Sequence, residues 1–210
     1  MSNIKNLVFD FGGVFIRLSL QGCVNAFREL GFSDIDEYVN PYCQKGLFGD
    51  IEAGRITDEE FCRLVSEHIG HDVSWADCQR GWLGFMVEVV QANLRQVLKL
   101  SDEGYQVALL SNTNPFIASW FRSDDFDGNG HSMSYYIPQQ NQYLSYELKC
   151  MKPGREIFEK MLHSTGFKSE ETMFIDDGET NLRAAERLGF HTFCPINGEE
   201  WGERLERALR

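Results

Sequence analysis

From about Val87 onward the chain alternates helix-length and strand-length apolar segments, and that alternation limits its fold more than any other feature. Val89–Leu100 is amphipathic and stops near Gly104, Gln106–Leu110 reads as a strand, and Pro153–His163 reads as a helix with proline near its start. Thr172–Ile175 is a second strand, Asn181–Leu188 a helix ended by Gly189, and His191–Cys194 a last strand before a final helix. Near the amino terminus, Leu7-Val8-Phe9 forms a short buried strand that runs into the glycine turn Asp10-Phe11-Gly12-Gly13. Strands separated by helix-sized connections cannot pair as tight hairpins. They pair in parallel through right-handed crossovers, so the expectation is an α/β fold with helices on both faces of a parallel sheet. Within the polar stretch Ser123–Glu147 a strand is expected near Tyr143–Tyr146 and loop elsewhere.

Between the first strand and this alternating part, about Phe15 to Phe85, strand signals are weak and helical ones frequent. Gln21–Leu30 is closed by Gly31, Thr57-x-x-Glu60 opens the run Glu59–Ile69, and Ser74-x-x-Asp77 starts a helix carrying Trp75, Cys78 and Trp82. The expected organisation is a core of residues 1–15 and 87–210, with an all-helical cap of residues 16–86 inserted after the first strand and sitting over the strand ends. Trp75, Trp82, Phe85 and Phe61 fit that cap's own core better than a substrate platform, because helical spacing accounts for them.

Composition narrows the partners. The net charge of −12 repels nucleic acid and anionic membranes, which need a local excess of lysine and arginine. It leaves room for a small phosphorylated substrate, since one metal ion and one lysine reverse the sign locally. No apolar run reaches the roughly 18–20 residues that span a bilayer. The first residues lack a signal-peptide layout, so a cytoplasmic address is expected. Cys23, Cys43, Cys62, Cys78, Cys150 and Cys194 are scattered without a Cys-x-x-Cys pair, as expected of reduced thiols rather than a disulfide framework or zinc site.

In parallel α/β sheets ligands bind outside the carboxyl ends of the strands. Those ends carry Asp10, Ser111-Asn112 and Asp176-Asp177, and Lys152-Pro153 opens the helix between the last two. Acidic groups, a hydroxyl and a lysine on one rim suit phosphoryl transfer with a divalent cation. Mg²⁺ takes oxygen ligands, so Asp10 and Asp177 are candidate direct ligands and Asp176 a direct or water-mediated one. Asp10 is the candidate nucleophile. Ser111 and the backbone amides of Gly12 and Asn112 are candidate phosphate donors, and Lys152 supplies positive charge to the transferring group.

These residues carry a resemblance. Asp10-Phe11-Gly12-Gly13-Val14, Ser111-Asn112, Lys152-Pro153 and Asp176-Asp177 resemble, in order, the four motifs of the haloacid dehalogenase-like (HAD) superfamily, and residues 16–86 resemble its C1 cap. Each motif alone is weak, whereas four in order at strand ends are specific. The resemblance implies a Rossmann-like core, Mg²⁺, an aspartyl-phosphate intermediate on Asp10 and the carbonyl of residue 12 as a further metal ligand. It also implies a second aspartate two residues after the nucleophile, acting as general acid and base. Here that position is Gly12, as in a branch resembling bacterial sugar-phosphate (glucose-1-phosphate-like) phosphatases. Loss of the acid forgoes about 10²–10⁴-fold in rate. Two escapes are open: a leaving oxygen that needs little protonation, as in a sugar 1-phosphate, or a proton from a cap residue or water. A dehalogenase-type hydrolase in which Asp10 attacks carbon, and a non-catalytic HAD-scaffold protein, stand as the alternatives.

Two further features are weighed. Asp125-x-Asp127-x-Asn129-Gly130 matches the opening of a calcium-binding EF-hand loop, but Tyr136 stands where that loop needs a bidentate glutamate, so a polar surface loop is expected. Arg17, Lys45 and Arg55 are basic enough to meet a substrate and equally suited to a solvated surface.

Overall fold

The computed structural model describes residues 4–40 and 44–210, so Cys43 lies outside the described residues. Among the described residues seven strands form two sheets: β1 (Asn6–Phe9), β2 (Ile16–Leu18), β3 (Met86–Val89), β4 (Gln106–Ser111), β5 (Gln142–Leu144), β6 (Thr172–Ile175) and β7 (His191–Phe193). The main sheet has the order β5-β4-β1-β6-β7, and every neighbouring pair is parallel. Strand β1 is central, with Phe9 opposite Leu109 on one side and Ile175 on the other. The chain builds outward to β5 on one side and then crosses to β6, which leaves a crevice at the carboxyl ends of β4, β1 and β6.

All strands of this sheet but the edge strand β7 are buried on both faces, and successive residues serve different cores. Leu7 and Phe9 pack with Leu94, Val97, Trp201 and Leu205, from the helices Gln91–Asp102 and Gly202–Leu209 and the residue that precedes the latter. Val8 points the other way, to Ile157, Phe158, Met161 and Leu182 on the helices Arg155–Thr165 and Glu179–Glu186. The near-continuous apolar strands follow from this two-sided burial.

Among the described residues, 20–83 hold four α-helices, Leu20–Glu29, Gly46–Glu52, Asp58–Ile69 and Trp75–Leu83, and a short 3-10 turn at Ile35–Glu37. Ser19 and Thr57 accept from the amides of Gly22 and Glu60, and Ser74 with Asp77 forms a full capping box. The helices close on an aromatic nucleus in which Phe27, Phe48, Phe61 and Trp82 are fully buried, Phe27 meeting Phe48 edge-on at 4.9 Å and Phe48 meeting Phe61 at 5.1 Å. Each such side chain contributes about 1.5–3 kcal/mol by leaving water. Trp75 is more exposed; its indole donates to Asp58 and its ring rests on Phe116.

This excursion is not purely helical, contrary to the sequence-based expectation. Strands β2 and β3 pair antiparallel at its base, with a register shift between Arg17 and Leu18. Three or four residues are too few to display a period, and β3 is mostly solvent-facing, so neither strand announces itself by hydrophobicity. The helix expected from Val89 starts instead at Gln91. In the stretch Ser123–Glu147, β5 sits close to where a strand is expected, and short helical turns occupy Met133–Tyr136 and Ser145–Leu148.

Candidate active site

The loop after β1 turns sharply at Gly13, whose φ is +71° and whose missing side chain leaves space for Asp177; a Cβ there would stand 2.0 Å from Asp177 Oδ2. Asn93 and Trp201 hold the loop from behind, both donating to the carbonyl of Val14, at 2.7 and 2.9 Å. Asp10 is thereby fixed at the mouth of the central strand, its amide donating to Ile175 at 2.8 Å.

Asp10, Asp176 and Asp177 converge, each offering a carboxylate oxygen within 4.8 Å of the others. The Lys152 side chain is fully buried among them, with Nζ 2.7 Å from Asp176 Oδ2 and 2.9 Å from Asp10 Oδ1. Asp176 is also fully buried and well provided with donors: Lys152, the Gly178 amide at 2.7 Å and the Asn181 side chain at 3.1 Å. Asp10 is not. Lys152 lies within ion-pair range of Asp10 Oδ1 but off the line of a hydrogen bond, which leaves that buried oxygen without a donor.

Burial raises the Asp10 carboxyl above its ordinary range; the Lys152 charge opposes the shift and Asp176 adds to it. Asp177 is pushed up to about 7, first by burial and then by Asp10 and Asp176. Lys152 moves upward because its two carboxylate neighbours outweigh the burial that disfavours its charge. Three carboxylates around one ammonium, with an orphaned oxygen aimed between them, form a donor set that fits a hard cation with oxygen ligands.

Ser111 ends β4 and is buried, its hydroxyl held only by a long 3.4 Å contact to the Asn112 carbonyl. Asn112 has a function that the sequence does not suggest. Its side chain accepts from the Lys152 amide at 2.9 Å and donates to the Lys152 carbonyl at 2.8 Å, clamping the lysine's backbone beside a cis Lys152-Pro153 peptide. Asn181, readable from sequence only as a helix cap, serves Asp176 instead. A fourth carboxyl, Glu52, is buried at the end of the helix Gly46–Glu52, and burial first, then the charge of Asp10, pushes it up to about 8. Its signal in the sequence is an acid following Phe48 and Ile51 on the buried stripe of the helix Gly46–Glu52. That helix escapes notice because it opens on one glycine, holds a second inside and has no side-chain cap.

Other candidates separate from the site. Arg17 pairs with Glu88 and Arg55 with the half-buried Asp50, the other three being exposed, and Lys45 is exposed at the start of the helix Gly46–Glu52. Asp127 is consumed within its own loop, accepting from the Tyr136 hydroxyl at 2.6 Å, the amides of Asn129 and His131, and the His131 ring. Tyr136, the residue in place of the calcium-binding glutamate, thus satisfies the very carboxylate such an ion would need. No helix among the described residues is long and apolar enough to cross a membrane.

A doubly wound parallel sheet with acids and a buried lysine gathered at its switch point is the layout of an α/β hydrolase. The chain belongs to the haloacid dehalogenase-like hydrolase family, whose profile matches residues 4–189. It is 39% identical over 206 residues to a D-ribitol-5-phosphate phosphatase of Bacteroides thetaiotaomicron, covering 98% of each chain. It is similar in structure to a predicted HAD-like family hydrolase of Porphyromonas gingivalis, with a TM-score of 0.92 and 39% identity, covering 99% of this chain and 98% of that one. A HAD family enzyme of Bacteroides thetaiotaomicron, solved in complex with magnesium and inorganic phosphate, aligns with a TM-score of 0.84 and 36% identity, covering 96% of this chain and 98% of that one.

Proposed function

We propose that this chain is a magnesium-dependent phosphatase acting on small phosphorylated metabolites, with the terminal phosphate of a sugar or sugar alcohol as the favoured class. The observation that carries the reading is the trio Asp10, Asp176 and Asp177 around one buried lysine, with an Asp10 oxygen lacking a donor. The D-ribitol-5-phosphate phosphatase and the magnesium and phosphate complex among its relatives support the same reading.

In this reading Asp10, Asp177 and the carbonyl of Gly12 hold Mg²⁺, with Asp176 in support. The ion, when bound, offsets the crowded negative charge and that of the phosphoryl group. Asp10 attacks phosphorus, forming an Asp–O–P bond as the ester P–O bond breaks, and water then cleaves the acyl phosphate at phosphorus. Lys152 keeps Asp10 ionised and faces the phosphoryl oxygens, its position set by the Asn112 clamp. Ser111 and the amides of Gly12 and Asn112 donate to the non-bridging oxygens. Residues 16–86 act as the cap that closes over the substrate and excludes water, and residues 1–15 and 87–210 act as the catalytic core.

The test is phosphate release across sugar phosphates, sugar-alcohol phosphates and nucleotides, with Mg²⁺ or EDTA, and with Asp10→Asn run beside the natural chain. Turnover that needs Mg²⁺ and falls by about 10⁴-fold or more in the variant is expected. Hydrolysis persisting in EDTA, or in Asp10→Asn, would sink the reading.

A further inference from the structure

We infer that Ser145 is a positioning residue, the contact through which the loop that shapes the phosphate site registers that the cap is seated; this inference rests on the phosphatase reading. Strands β4 and β5 pair as far as Ser111 opposite Leu144, and the next residue, Ser145, turns into the short helix Ser145–Leu148. Beyond that point the Ser145 side chain takes over from the backbone ladder. Its oxygen accepts from the Thr113 amide at 2.9 Å and lies 3.1 Å from the Thr113 carbonyl. From the other side the Glu52 carbonyl, at the end of the helix Gly46–Glu52, lies 2.6 Å away. Ser145 is fully buried, so solvent does not stand in for a missing partner.

A hydroxyl has one proton to donate, and here it faces two carbonyls. The contact at 2.6 Å falls within the usual O–H···O range and the one at 3.1 Å just outside it, so the proton belongs to Glu52. The Glu52 carbonyl needs it, because the last carbonyls of a helix have no partner within the helix. With the cap lifted, the same proton has only the Thr113 carbonyl to go to, and Ser145 then grips both main-chain groups of Thr113. Two placements of one proton thus accompany two positions of the cap, a discrete element of the kind that coupling between sites requires.

Both sides of the contact are built for it. Gly54 has a φ of +65°, and a Cβ there would stand 2.2 Å from the Tyr146 carbonyl. The cap segment after Glu52 therefore lies against Ser145-Tyr146 only because position 54 is glycine. On the core side Thr113 adjoins Asn112, whose side chain holds the Lys152 backbone, and the Lys152 ammonium sits between Asp10 and Asp176. Cap backbone, Ser145, Thr113, Asn112 and Lys152 form one unbroken run that ends at Asp10. Coupling of this kind is reciprocal: phosphate in the site favours the seated cap, and the seated cap favours the productive phosphate site.

The test breaks the contact from each side in the full chain with Mg²⁺. Ser145→Ala removes the hydroxyl, and Gly54→Ala pushes the cap segment off Tyr146 while leaving the core's residues intact. With ribitol 5-phosphate, or the best alkyl phosphate from the screen, kcat/KM should fall by about 5–150-fold in each. The double variant should lose no more than the worse single one, because one contact cannot be broken twice. Losses that multiply, or full activity in Ser145→Ala, would overturn the assignment. Amide hydrogen exchange in residues 53–56 adds a readout that a merely structural serine would not move. Inorganic phosphate with Mg²⁺ should slow that exchange at least about fivefold in the natural chain, and not at all in Ser145→Ala although calorimetry shows phosphate bound. Slowing that survives in the variant, or is missing from the natural chain with phosphate bound, would also overturn it. If Ser145→Ala fails to fold, Gly54→Ala carries the same exchange comparison. A natural chain that hydrolyses no ester and binds no phosphate would instead bring down the phosphatase reading, a distinguishable result.

Discussion

Asp127, in the loop before Tyr136, and Glu52, at the end of the helix Gly46–Glu52, are both buried carboxylic acids, 5% and 8% exposed, but their surroundings treat them oppositely. Burial alone would raise Asp127, yet hydrogen bonds from Tyr136 and from the His131 and Asn129 amides more than reverse this and hold it below its ordinary range. Among the described residues no hydrogen bond offsets the burial of Glu52, and the charge of Asp10 acts in the same direction as burial. The difference separates two uses of a buried acid. One that organises a loop is saturated with donors, whereas one left bare keeps its proton available. Asp176, with donors from Lys152, Gly178 and Asn181, belongs with Asp127 in this respect, and Asp10, whose Oδ1 lacks a donor, stands nearer to Glu52.

Removing donors from a saturated acid should produce the largest stability effect. Lys152→Met leaves Asp176 buried without its cation, and urea unfolding in EDTA should show a loss of about 3–5 kcal/mol. An unchanged midpoint would mean that the amide and Asn181 donors suffice for Asp176. Next, Asp127→Asn should lose about 1–3 kcal/mol at neutral pH, since two of its four donors would meet a weaker acceptor and the other two a donating amide. Because the folded pKa of Asp127 lies below its ordinary 3.8, its stabilisation is present above that pH and fades as pH falls below it. The gap between variant and natural chain should therefore close in acid.

Glu52→Gln should give the smallest effect and the opposite sign. The folded pKa of about 8 exceeds the ordinary 4.5, so the native state holds a proton that the unfolded chain gives up, and stability falls as pH rises between those values. Melting curves in metal-free buffer should show the variant gaining on the natural chain from about pH 5 to pH 8 and holding level above. A variant less stable across that whole range would place Glu52 with Asp127 and erase the contrast.

The parts of this molecule legible in its sequence are those governed by local rules. Leu7–Phe9, Gln106–Ser111 and Thr172–Ile175 are apolar enough to be strands, and Ser74 with Asp77 marks a helix start through its own capping geometry. Asp10, Lys152, Asp176 and Asp177 could be proposed together because each sits at a strand or helix terminus facing one rim. What stayed hidden depends on distant partners. The pairing of β2 with β3 is fixed by residues some seventy positions apart, the Asn112 clamp by Lys152, and the environment of Glu52 by Asp10 and Ser145. None of these leaves a period or spacing to read.

The β2 and β3 pairing has one more consequence. The chain departs from the sheet region and returns to it side by side, with Ile16 opposite Val89. The excursion therefore leaves and rejoins the core at one paired stalk and rests on it again through Trp75 on Phe116, Gln79 with Ser119 and Glu52 with Ser145; away from those contacts, what lies beyond Leu18 and before Met86 can be longer, shorter or differently shaped while the two roots stay at the same separation. Selectivity for new substrates can accumulate in that branch without disturbing the trunk, provided the contacts that seat it, the Glu52 carbonyl on Ser145 among them, are kept.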